Sequence, residues 1–87
     1  MKARTLEQYT KAVDLLEQML NGETADKTTQ GFNHVICGFM KTAFADGING
    51  KTAPDVISAM RATRKPFLKA TAAVIENSYK DGLEARA

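Results

Sequence analysis

The sequence predicts an all-α protein, a small bundle of about four helices forming one domain over residues 1–87. Three observations carry that prediction. Apolar residues recur at steps of three and four in several separate segments, the spacing of one helix face. No segment shows the apolar–polar alternation of a half-buried strand. Proline and glycine dipeptides fall between the periodic segments, where connections belong. No internal repeat or low-complexity stretch is evident.

Leu6, Tyr9, Val13, Leu16 and Leu20 step by 3, 4, 3 and 4, which predicts a helix over residues 6–21. Thr5, with Gln8 three residues on, can form a capping box, and Asn21-Gly22 supplies the stop. Ala12, Leu15 and Met19 widen the stripe, so this helix faces more than one neighbour. The stripe either closes the bundle or zips to a second copy, a common remedy for a thin core. It therefore predicts a homo-oligomer, a homodimer first.

Asp26 is a candidate N-cap for a second helix over 27–45. Phe32, Val35, Ile36, Phe39, Met40 and Phe44 cover so much of its circumference that it belongs at the centre. Gly31, Gly38 and Ala45 recur every seventh residue, a stripe that predicts close approach of another backbone. Asp46-Gly47 and Asn49-Gly50 mark the following turn. Thr52 as cap, with Ala53 and Pro54 in the first turn, predicts a third helix over 53–63. Thr63 as the next cap places Pro66 in the first turn of a fourth, over 64–81. Leu68, Ala72, Ile75 and Tyr79 are its stripe, Gly82 its stop, and 83–87 a frayed tail.

Composition narrows the function. The chain has 87 residues, 44% hydrophobic, 25% charged, with a single cysteine. Cys37 cannot form an internal disulfide, which predicts a reducing, cytoplasmic setting. No apolar run is long enough to span a membrane, and the N-terminus has no secretory pattern. The net charge of +2 hides an uneven distribution. Lys51, Arg61, Arg64, Lys65 and Lys69 face only Asp55 across residues 51–69, so the whole surplus lies in that segment.

Catalytic chemistry is not written into the sequence. His34 and Cys37 share a helix face but lack further soft ligands for a metal, and no third group orients them as nucleophile and base. Gly50-Lys51-Thr52 resembles the end of a phosphate loop, yet Ala45 stands where its first glycine belongs and no strand precedes it. What survives is a glycine loop at a helix start, a candidate site for a small anion such as a nucleotide. Asp14, Glu17, Asp81 and Glu84 read as solvated surface charge. The expectation is a protein that is not an enzyme and needs no metal or cofactor.

Residues 39–58 carry part of a helix-turn-helix pattern: Ala43, Gly47 in the turn, Ile48 after it and Val56 in the second helix. Against it, Thr42 fills a place that buries an aliphatic, Gly50 weakens the recognition helix, and Pro54 falls inside it. The segment reads better as a helical hairpin than as a reader of double-stranded DNA, which stays as an alternative. The leading expectation is a non-enzymatic regulator or inhibitor. Its basic surface, Arg61, Arg64, Lys65 and Lys69, would meet an acidic protein partner.

Overall fold

The computed structural model describes residues 3–87, which form four helices and no strand. They are α1 (Leu6–Asn21), α2 (Lys27–Ile48), α3 (Asp55–Ala62) and α4 (Pro66–Arg86). The bounds of α1 match the sequence signals. Thr5 Oγ1 accepts from the Gln8 amide at 3.1 Å, and Gln8 Oε1 in turn accepts from the Arg4 amide at 2.8 Å. Gly22 leaves the helix at φ 48°. At the start of α2, Asp26 Oδ1 accepts from the Thr29 amide at 2.7 Å. That bond favours the charged carboxylate and lowers its pKa.

The later boundaries depart from expectation. α3 starts at Asp55 with Pro54 at its cap position and no side-chain cap, so Thr52 stays outside the helix. Thr63 ends α3 rather than starting α4: its hydroxyl donates to the Met60 carbonyl at 2.7 Å. Lys65 is the residue that caps α4, held extended because the ring of Pro66 follows it. α2 runs three residues past Ala45, and α4 runs through Gly82 to Arg86, so 83–86 is helix and not a frayed tail.

Gly47 and Gly82 continue their helices because they are the point where α2 and α4 touch. A Cβ on Gly47 would collide with the Tyr79 carbonyl oxygen and lie 2.9 Å from the Leu83 amide. A Cβ on Gly82 would collide with the Phe44 carbonyl oxygen and lie 2.9 Å from the Ile48 amide. The two environments mirror each other with a shift of thirty-five residues. At the other end the rings of Phe32 and Phe67, related by the same shift, lie 5.1 Å apart. α2 and α4 therefore run parallel about a local pseudo-two-fold axis. The sequence does hold a short internal correspondence: Phe44-Ala45-Asp46-Gly47-Ile48 and Tyr79-Lys80-Asp81-Gly82-Leu83 share the pattern aromatic, any, Asp, Gly, aliphatic.

The Gly31–Gly38–Ala45 stripe does not make this contact. Nothing lies within 4 Å of a Cβ built on Gly31 or Gly38.

α1 packs antiparallel on α2. Asn21 with Asn33 at 2.9 Å, Glu17 with His34 at 3.1 Å and Asp14 with Lys41 at 2.7 Å mark its course. Tyr9 stacks on Phe44, ring centroids 4.1 Å apart, in a cluster with Val13 and Cys37. The Tyr9 hydroxyl reaches across to donate to Ser78 Oγ on α4, and the Ser78 hydroxyl donates in turn to the Val74 carbonyl. α3 packs on α4, where Ile57 joins Ala43, Ala72 and Ile75 in a second cluster. The spatial order is α1–α2–α4–α3, and the backbones of α1 and α3 do not meet. α2 thus shares the centre with α4. The row measures 39 × 30 × 16 Å, a slab rather than a sphere.

Candidate functional site: the basic corner

The four cations read as one cluster in the sequence belong to two environments. Arg61, in the last turn of α3, is committed internally. Its Nη1 and Nη2 each donate to a Glu76 carboxylate oxygen at 2.9 Å, and Lys80 adds a third contact to Glu76 at 3.6 Å. The guanidinium holds the Glu76 carboxyl down at about 2 and raises the Arg61 pKa in return. This planar two-point pair pins α3 to α4 and offers little to a partner.

Arg64, Lys65 and Lys69 are exposed, and their side chains form no ion pair among the described residues. Arg64 sits at φ 63°, the left-handed region that reverses the chain between α3 and α4. Pro66 fixes the next turn, so the three cations project from a stiff corner and not from a floppy loop.

The glycine loop is already occupied by the chain itself. Gly50 turns at φ 73°, and the Arg86 guanidinium packs where its Cβ would be. The Lys51 carbonyl accepts from the Tyr79 hydroxyl at 2.6 Å, and the Lys51 amide donates to the Asp46 carbonyl at 2.8 Å. Thr52 caps nothing, and Asp55 places a carboxylate in the first turn of α3, where an anion would have to bind. Gly50 and Lys51 tie the loop to α4.

Residues 39–58 do not form a helix-turn-helix. Gly47 lies inside α2 against Gly82, and residues 49–54 separate the two helices, too long a connection for that motif. The α1 stripe also divides: Tyr9 and Val13 are core, whereas Leu6, Leu16 and Leu20 remain exposed. His34 pairs with Glu17, and Cys37 is buried, which pushes its thiol pKa up. Among the described residues no group of His, Cys, Asp and Glu is placed to hold a metal ion. Nor is any helix there long and apolar enough to cross a membrane.

One concavity was not foreseen. A cleft of about 540 Å³ lies between the start of α1 and the end of α4, lined by Arg4, Tyr9, Phe44, Asp81 and Glu84. Burial raises the Tyr9 pKa, so its phenol remains a donor to Ser78. The sequence signal for this cleft was slight, because Asp81 and Glu84 look like ordinary surface charge on a helix.

No protein-family model, curated protein or solved structure matches this chain.

Proposed function

We propose that the protein works without catalysis, as a small helical module that regulates or inhibits an acidic protein partner by occupying it. The contact is the corner between α3 and α4, made by Arg64, Lys65 and Lys69. The observation that supports this reading is the contrast with Arg61: that cation is neutralised by Glu76, and the three beside it are not. Unpaired cations on a rigid turn steer an oppositely charged surface into register and lose little freedom on contact.

The test is fluorescence anisotropy of the full chain against acidic, neutral and basic peptide probes and a random duplex DNA. A salt series from roughly 50 to 200 mM separates charge-driven binding from the rest. Acidic probes should bind and weaken with salt, and the double variant Arg64→Glu/Lys65→Glu should bind them at least about tenfold less tightly. Preference for the duplex with a steep salt slope would transfer the corner to nucleic acid. No binding of any probe at low salt would remove the proposal.

A further inference from the structure

The C-terminal half of α1 and the N-terminal half of α4 leave a second surface unaccounted for. On α1, Tyr9 and Val13 are buried, but Leu16, Leu20 and Met19 further along are 37%, 52% and 71% exposed. On α4, Phe67, Thr71, Val74 and Ser78 step by 4, 3 and 4, the face that Ser78 presents to Tyr9. Thr71 and Ser78 are buried, while Phe67 and Val74 are 60% and 43% exposed.

The two stripes lie at the same end of the slab. Antiparallel packing sets Leu16 and Leu20 beside the start of α2, and the Phe32–Phe67 contact sets Phe67 beside that same start. The backbones of α1 and α4 do not approach one another, so an apolar trough opens between them over α2.

Its chemistry and size identify what covers it. The ionisable residues nearby turn away: Glu17 to His34 and Asp14 to Lys41, both on α2. Lys69 lies roughly 200° round the helix from Phe67. Between them the flanking positions are Ala12, Leu15, Ala70, Ala73 and Asn77, none of them charged. A face without charge suits neither an acidic nor a basic partner, but it meets no repulsion from its own copy.

The chain exposes 5994 Å². A compact monomer of 9.5 kDa exposes about 5050 Å². The excess, about 950 Å², is close to the roughly 800 Å² each partner buries in a standard stable interface. The radius of gyration agrees, at 13.1 Å against about 12 Å for a compact chain of this length.

We infer that a second copy of this chain covers the trough. The dimer is two-fold symmetric, with Met19, Leu16 and Leu20 of each copy packed on Phe67 and Val74 of the other. Lys69 lies on the other side of α4 from Phe67, so dimerisation and partner binding draw on different residues.

Sedimentation equilibrium on the full chain, from low micromolar to sub-millimolar concentration, decides this. The expected mass is twice the 9.5 kDa of one chain. Met19→Glu and, separately, Val74→Glu each place two charges in the dimer and should weaken it at least about a hundredfold. Both positions are exposed in the single chain, and circular dichroism should report unchanged helix content for each. A wild-type chain that stays monomeric at every concentration overturns the inference. So does a dimer that both variants leave intact. Arg64→Glu/Lys65→Glu should leave the mass unchanged, which keeps this result apart from the fate of the basic corner.

Discussion

The two halves of the α2–α4 pair are built from the same helices yet packed in opposite ways. Towards the C-terminal ends, Gly47 and Gly82 bring the backbones together, and Phe44, one turn before Gly47, has no exposed surface. Towards the N-terminal ends the rings of Phe32 and Phe67 meet, and the two residues remain 38% and 60% exposed. Gly31 and Gly38 have room for a Cβ that no neighbour fills. The difference teaches that one end of this slab carries its stability, and the other keeps a surface available.

Substitutions at the glycines should break the comparison most sharply. Gly82→Ala drives a methyl into the backbone of α2, where neither helix can yield by rotating a side chain. The cost should reach about 3 kcal/mol or more, lowering Tm by roughly 10 °C or more. Gly47→Ala should do the same from the other side. A thermal melt unmoved by either would mean that α2 and α4 do not cross there.

A smaller loss is expected where α1 bridges to α4. Tyr9→Phe removes the donor to Ser78 but leaves Ser78 bonded to Val74, so urea unfolding should register about 0.5–1.5 kcal/mol. At the open end the sign reverses. Gly38→Ala adds helix propensity without a clash and should stabilise by about 0.5–1 kcal/mol in the same measurement.

The gentlest probe is pH. Glu76 is held at about 2, below its ordinary 4.5, so its pairing with Arg61 stabilises the fold above the ordinary value. That contribution is lost as pH falls from about 4.5 towards about 2. Glu76→Gln should be less stable than wild type at neutral pH. The gap between the two melting curves should close through that acidic window.

Local chemistry made much of this fold legible. The cap at Thr5, the five-residue apolar stripe and Asn21-Gly22 specify α1 fully, because each acts within a turn or two of itself. The distant contacts were harder to read. Asp46-Gly47 and the lone Gly82 carry the local signature of a turn and a stop, and tertiary packing overrides both. The aromatic–x–Asp–Gly–aliphatic pattern, present twice, was the signal that could have paired them. Likewise the basic cluster was visible in the sequence, but the withdrawal of Arg61 depends on Glu76, fifteen residues away on another helix. Gly31 and Gly38 misled because a seven-residue recurrence specifies a stripe, not what lies opposite it. The apolar trough had half its residues in view as the α1 stripe. Phe67 and Val74 joined it only once α4 was set parallel to α2.

Cys37 has a practical consequence. It is the chain's sole sulfhydryl, shut beneath α1 with almost no accessible surface. A thiol reagent can reach it only in molecules where α1 has lifted or the chain has opened, so labelling acts as a clock for that event. With ample reagent and fast reclosing, the rate should report the equilibrium for opening α1 away from α2. Gly82→Ala should quicken that clock, whereas Gly38→Ala should slow it or leave it unchanged.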